Sequence, residues 1–262
     1  MIGALRGEWT KQWSLTATAW LLLGLAVLTA GLSALGAWSL DGRGCAGPAD
    51  CDPDLTRFSL IGVYAGQITA LVLGALTATA EYATGTMRTT LQANPRRATV
   101  LAAKAAVVSG LVLAAGLAGV LGSLLAGRIL LRHNGFTPAH GYPPLSLGDG
   151  ATLRAAAGTV LYLALVALLA LGAGLALRDT AATLSTVLAV LLMAPLLGPF
   201  VTDPVWHVRL ERVVPMTAGL AVQVTKRLDE LPIAPWAGLA VLAAWAATGL
   251  VAGTARFLWR DA

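Results

Sequence analysis

The side chains best able to do chemistry are sparse in this chain. Its three histidines, His133, His140 and His207, fall in separate polar connections, without the short spacings that bring two imidazoles to one metal ion. The same isolation disfavours a Ser–His–Asp relay, whose members must lie within hydrogen-bond reach of one another. Lys11, Lys104 and Lys226 are the only lysines, and none follows a glycine, so the chain lacks the phosphate-cradling loop that ends in a lysine. It is expected to have no catalytic site and no metal or cofactor of its own; energy for any driven process must be captured by another chain. Cys45 and Cys51 are the only cysteines. They are six residues apart across Gly47-Pro48 and can close a small disulfide loop, which persists only on the oxidising side of a membrane. Two free thiols are the alternative.

The remaining candidates are neutral polar groups inside apolar stretches. Tyr64, Gln67, Thr69, Thr77 and Thr79 share one stretch, and Tyr64, Gln67 and Leu71 follow a three-and-four spacing that puts them on one helical face. Such groups either hydrogen-bond to neighbouring helices or line a polar path. Charge is nearly absent from these stretches. Lys104 stands near the start of one, where its long stem can carry the ammonium to the interface; no Asp, Glu or His lies deep in any. A charge at the bilayer centre costs at least about 2.5–3.5 kcal/mol, so it is retained mainly where function needs it. Proton pumps, proton-coupled transporters and intramembrane proteases need such groups, and ion pores need rings of charge; all four readings are disfavoured.

The elements that must position these groups are membrane helices. Hydrophobic residues make up 57% of the 262 and charged residues 12%, against roughly 25% charged in soluble domains. Six apolar runs are predicted at about 16–38, 58–80, 99–127, 155–177, 181–201 and 236–257, each about long enough to cross a 30 Å hydrocarbon core as a helix. The first run is too long for the apolar core of a cleaved leader and is read as a retained span. Ahead of it, Ile2, Leu5, Trp9 and Trp13 recur at helical spacing, which predicts an amphipathic helix over 2–13 lying in the interface. That helix is either a simple anchor or an elbow touching a cytoplasmic partner. The short polar segment 81–97 contains Gly85 and Asn94-Pro95 and is expected to hold a short exposed helix over Glu81–Leu91. Pro195 and Pro199 either end the fifth helix or hinge it. Gly119, Ser123 and Gly127 at four-residue spacing point to close helix packing. Segment 202–235 is half polar and broken by Pro215, and is expected to form short amphipathic helices on or dipping into the outer leaflet. The whole chain, 1–262, therefore reads as one all-α transmembrane domain.

An even number of spans puts both termini on one side. With that side cytoplasmic, Lys and Arg divide equally, nine and nine, but the inner segments are about half as long in total, so the inner density is higher, as the positive-inside rule requires. The net charge of +5 belongs to these flanks and to lipid headgroups. No basic stretch is interleaved with aromatics, so nucleic acid is not an expected partner.

Several segments together resemble one family. EYATGTMRTTLQANPRRATVLAAKA at 81–105, LRGEWTKQW at 5–13, RVVPMTAGLAV at 212–222 and PWAGLAVLAAW at 235–245, set in a six-span layout, resemble the small bacterial type-2 ABC export permeases. Gln12 departs from that pattern, where an apolar residue is usual. The resemblance implies a bacterial plasma-membrane protein with both termini cytoplasmic. It implies a homodimer of permeases joined to two copies of a separate ATPase that binds ATP and Mg. Residues 4–13 would be the connecting helix. Glu81, Tyr82, Gly85, Thr86, Met87 and Arg88 would dock on the ATPase. The second and fifth spans would flank the dimer interface and the translocation path, with Tyr64, Gln67, Thr183, Thr186 and Met193 near it.

An uncharged interior suits a hydrophobic or amphiphilic cargo such as a drug, antibiotic, lipid or lipopeptide, exported outward by alternating access. The alternative is a non-transporting membrane partner of an ATPase that senses or releases something at the outer leaflet through 202–235. The first loop yields a direct test of topology. If Cys45 and Cys51 are bridged, a membrane-impermeant maleimide is expected to label neither until a reductant is added; labelling of both without reduction would overturn the bridge.

Overall fold

In the computed structural model, which describes residues 2–42, 44, 47–48, 51–86, 92 and 97–259, the chain is all-α, with no strand among the described residues. Among the described residues ten α-helices follow in order: α1 (Ile2–Ser14), α2 (Thr16–Ser39), α3 (Leu55–Ser59), α4 (Val63–Ala83), α5 (Arg97–His133), α6 (Gly150–Leu177), α7 (Thr180–Leu197), α8 (Pro204–Val213), α9 (Pro215–Leu220) and α10 (Pro235–Trp259). Short 3-10 turns stand at Pro138–His140, Gly198–Phe200, Ala221–Gln223 and Leu228–Glu230. Among the described residues five helices are long and apolar enough to cross a membrane: Thr16–Ser39, Val63–Ala83, Arg97–His133, Gly150–Leu177 and Pro235–Phe257. The sixth expected span is shorter, its apolar part covering Thr180–Met193. Pro195 sits in its last turn, and the 3-10 turn at Gly198–Phe200 ends it.

Local chemistry sets the ends of these helices. The expected second span divides into α3 and α4. Asp54 caps α3 by accepting from the Arg57 N–H at 3.0 Å. The chain then turns at Leu60–Gly62, where the Gly62 N–H donates to Ser33 Oγ of α2 at 2.9 Å. α5 runs six residues beyond the expected end, so Arg128 and Arg132 are helical and not part of a loop. Asp149 caps α6 by accepting from the Thr152 N–H at 2.9 Å and the Thr152 hydroxyl at 2.8 Å. Those bonds hold the Asp149 carboxyl below the usual carboxylate range. α6 stops at Arg178, whose left-handed backbone (φ 61°) makes the tight turn expected at Arg178-Asp179. Asp179 then accepts from the Ala182 N–H at 2.7 Å in the first turn of α7.

α6 is the central post. It packs against α4, α5 and α10, while α2 packs across α5 and α4. The core includes Leu71 and Leu73 of α4, Val108 and Val112 of α5, and Leu163, Val166 and Leu171 of α6. In contrast, α2 keeps Trp20, Leu23, Val27 and Trp38 exposed, as a helix facing lipid must. Close approach relies on small residues. The Gly119–Ser123–Gly127 stripe lies where α5 meets α2 and α3: Gly119 sits against Ala26, Ser123 Oγ donates to the Thr29 carbonyl at 3.2 Å, and Gly127 lies against Ser59. A Cβ on Gly74 of α4 would overlap the Ala167 carbonyl oxygen of α6.

Segment 202–235 is amphipathic only in part. α8 is, with Trp206 exposed and the Arg209 guanidinium 5.1 Å from its ring centre. The expected break at Pro215 falls between α8 and α9. Beyond it, Pro215, Met216, Ala218, Gly219 and Leu220 are buried, as are Ala221 to Val224, so this stretch is inserted into the bundle against α6 and α10.

Gly74→Val is expected to destabilise the bundle by roughly 1–3 kcal/mol, the usual penalty of overpacking, seen as a lower thermal midpoint in detergent. Gly110→Ala, on an exposed face of α5 with open space around it, is expected to leave the midpoint unchanged or raise it.

Candidate functional site

The densest polar constellation lies at the α1 end of the bundle, and its logic begins with α1. Trp9 and Trp13 stack at 5.8 Å and remain half exposed, with Ile2 more so, while Glu8 and Gln12 are the buried residues. The helix is amphipathic with its polar face turned into the protein. A soluble protein would reverse this; at a membrane interface the apolar face meets lipid.

Two carboxylates and two ammonium groups meet on that polar face. Lys104 of α5 is 2% exposed. Its Nζ donates to Glu8 Oε2 at 2.9 Å, to Glu81 Oε1 of α4 at 2.6 Å and to the Thr77 carbonyl at 3.4 Å. Lys11 Nζ donates to Glu8 Oε1 at 3.1 Å and to Glu81 Oε1 at 2.9 Å. The four alternate in sign and close a neutral ring joining α1, α4 and α5. Burial alone would lower the Lys11 pKa; the hydrogen bonds and charges of Glu81 and Glu8 outweigh it and hold Lys11 above its ordinary value. Gln12 extends the network. Its Nε2 donates to Thr77 Oγ1 at 3.2 Å, and its Oε1 accepts from Thr18 Oγ1 at 3.1 Å. Gln12 therefore ties α1 to α2 and α4.

This arrangement corrects two expectations. Lys104 does not reach out to the interface; with two carboxylates and a carbonyl within reach, its charge is satisfied inside. Nor do Glu81 and Tyr82 start a separate helix, and residues 87–91 of the one expected over Glu81–Leu91 lie outside the described residues. Glu81 and Tyr82 belong to the last turn of α4, which ends where the Thr84 N–H returns to the Ala80 carbonyl and Gly85 adopts φ 70°, a glycine stop that other residues resist. Glu81 faces the ring, although its Oε2 has no hydrogen-bond partner among the described residues. Tyr82 lies under the Arg178 guanidinium, 5.1 Å from its ring centre. Thr86 and Gly85 are exposed, and Thr86 Oγ1 lies 2.8 Å from Thr84 Oγ1. Met87 and Arg88 lie outside the described residues.

The five expected path residues do not share one surface. Gln67 is buried: Tyr162 Oη of α6 donates to its Oε1 at 2.5 Å, and its Nε2 points to Met216 Sδ at 3.8 Å. Thr183 is buried, its hydroxyl donating to the Asp179 carbonyl at 2.6 Å. Tyr64 and Thr186 are exposed and Met193 is half-buried. The face expected for Tyr64, Gln67 and Leu71 turns inward after Tyr64, and its amide serves helix–helix bonding. Cys51 takes part in a disulfide, and its carbonyl accepts from Tyr142 Oη at 2.7 Å; Cys45 lies outside the described residues.

Sequence reasoning missed Glu8, Lys11, Gln12 and Thr77 as a unit. One signal was available: Glu8, Lys11 and Gln12 share the face of 2–13 opposite the tryptophans, and a second pair of opposite charges, Glu81 and Lys104, stands at the same membrane level.

No protein-family model matches this chain, and no curated protein matches it.

Removing one member of a buried charge set leaves the others uncompensated, at a cost of about 3–5 kcal/mol. Lys104→Met is expected to lose about that much, read as a large drop in thermal midpoint. The half-exposed Lys11→Met is expected to lose less than about 1 kcal/mol. Adding Glu81→Gln to Lys104→Met restores charge balance and is expected to recover part of the loss; a double variant no better than Lys104→Met would show that charge pairing is not what the ring supplies.

Proposed function

We propose that the chain is the membrane-spanning permease of an ATP-driven exporter of the type-2 ABC kind, moving a hydrophobic or amphiphilic cargo outward by alternating access. The observation that carries this reading is the neutral ring of Glu8, Lys11, Glu81 and Lys104. It clamps the end of α4 to the start of α5, the two helices that flank segment 84–97, and ties both to α1. A soluble partner pushing on that segment moves α4, α5 and the interfacial helix together. In the proposed cycle the partner is an ATPase. Closure of two ATPase copies on ATP and Mg displaces the segments, the ring transmits the displacement, and the path between two permease copies changes the side to which it opens.

On this reading α7 is a sixth span. Its 18 residues rise about 27 Å at 1.5 Å per residue, close to the hydrocarbon thickness. Both termini are then cytoplasmic in a bacterial plasma membrane, and 202–235 is extracytoplasmic. Tyr64 and Ile68 of α4 and Thr186 of α7 are exposed and available to a second permease copy and to the path. Gly85, Thr86, Met87 and Arg88 contact the ATPase; Glu81 and Tyr82 stand behind them and relay the motion.

The tagged chain, purified from its native membrane, is expected to retain a stoichiometric subunit with a Walker lysine, identified by mass spectrometry; a preparation free of any ATPase would overturn the reading. In the reconstituted complex, Arg88→Ala is expected to reduce cargo-stimulated ATP hydrolysis several-fold with no change in thermal midpoint. ATP hydrolysis with no cargo movement into vesicles would turn the assignment to a sensing subunit.

A further inference from the structure

The end of the bundle opposite α1 holds a cavity of about 500 Å³ between α3, the first turn of α4 and residues 223–231, a volume typical of small-ligand sites. Its walls divide by chemistry. Arg57 and Arg227 supply guanidinium groups; Phe58, Ile61 and Tyr64 supply a hydrophobic side; Asp52, Asp54, Lys226 and Glu230 complete the charged lining.

The other charges near this cavity are already committed. Asp54 accepts from the Arg57 N–H at 3.0 Å, the Thr225 N–H at 2.6 Å, the Thr225 hydroxyl at 2.7 Å and the Lys226 N–H at 3.3 Å. The Lys226 ammonium is bonded to Asp52 and holds that carboxyl below the ordinary carboxylate range. Gln223, at the back, donates to Thr159 Oγ1 at 2.9 Å. The turn is thus pinned to the Asp52–Asp54 stretch that caps α3 on one side and to α6 on the other, and Arg227 emerges from it with a left-handed backbone (φ 50°), a conformation non-glycine residues adopt only where the surroundings enforce it. The guanidinium groups of Arg57 and Arg227 have no hydrogen-bond partner among the described residues. Two guanidinium groups with free donors border one cavity, and each can pair with an anionic oxygen. Summed over the lining, Arg57, Lys226 and Arg227 balance Asp52, Asp54 and Glu230, so there is no excess positive field to hold a multiply charged anion, and what the site offers is the unpaired donors of the two guanidinium groups. From Tyr64 an exposed stripe continues to Ile68, one turn deeper along α4.

We propose that this cavity seats the singly charged phosphodiester or carboxylate headgroup of an amphiphile, held by Arg57 and Arg227, with its apolar chain lying along Phe58, Ile61, Tyr64 and Ile68. This deepens the exporter reading and rests on it for the statement that the ligand is cargo, but the binding itself needs no ATPase. The test is calorimetric titration of the purified full-length chain in a neutral maltoside detergent. Submicellar dihexanoyl-phosphatidylglycerol is the probe, with dihexanoylglycerol and inorganic phosphate as comparators. One phosphatidylglycerol is expected to bind per chain, at least about tenfold more tightly than either comparator. Arg57→Gln with Arg227→Gln is expected to weaken it tenfold or more, while Arg209→Gln, on the far face of α8, leaves it unchanged. Tyr64→Ala is expected to weaken phosphatidylglycerol but not phosphate. Unchanged affinity in the double arginine variant, or equal binding of dihexanoylglycerol, overturns the headgroup assignment; phosphate binding as tightly as the lipid makes this a free-anion site and overturns the amphiphile. A negative result here leaves co-purification with an ATPase untouched, and absence of an ATPase leaves the lipid binding standing.

Discussion

Charge in an apolar bundle must be neutralised where it stands, and the ring of two glutamates and two lysines answers that constraint. In a slab without water an isolated ammonium is costly to bury. Glu8 and Glu81 make the burial of Lys104 tolerable, and each carboxylate is in turn shared with Lys11. Because the four charges come from three helices, none can shift alone without exposing the others to an apolar surround. The inward polar face of α1, the extension of α4 to Ala83 and the contact of α5 with both follow from this one requirement. A buried ion set of this kind is a poor source of net stability; what it supplies is a fixed geometry among elements that apolar contacts alone would let slide.

The rest of the bundle is fixed by the opposite means. Where α4 and α6 cross, Gly74 lets backbone meet backbone, and packing between such surfaces, rather than a hydrophobic drive, holds helices together in lipid. Gln67 adds one directional contact to this smooth surface. Bonded to Tyr162 of α6 and pointing at Met216 of α9, it sets the rotation of α4 about its axis. Tyr64, one turn before it, is thereby held outward.

How much of this was legible in the sequence follows from which forces act locally. Long apolar runs announce themselves by length, so most helices are found within a few residues of their expected positions, as α2 and α10 are. Boundaries set by neighbours were not legible. The break at Leu60–Gly62 depends on Ser33 of α2, and the extension of α5 to His133 continues an apolar run past Arg128. The insertion of Pro215–Val224 was half legible, because its residues are uncharged but the charged stretches on either side masked them. The ionic ring was not read because its members lie as far as 96 residues apart, and a lysine at a helix start has an ordinary explanation that needs no partner. Among the path candidates, spacing identified a shared face but not its direction. A polar residue on a membrane helix turns inward when it finds a fixed partner, and the partners here, Tyr162 and Met216, lie on other elements.

The two ends of the molecule are connected by α4. Its 21 residues form a rod of about 31 Å, with Glu81 in the ionic ring at one end and Tyr64 beside the far cavity at the other. Between them its contacts with α6 are backbone-close, so bending is resisted and the easier motion is of the whole helix. A whole-helix motion at the ring would alter the spacing between Tyr64 and the pinned turn that carries Arg227, because that turn is tied to α3 through Asp54 and not to α4. In the proposed exporter this is how a push on segment 84–97 would widen or narrow a headgroup site about 30 Å away. No side chain needs to carry a signal, since one stiff element borders both sites.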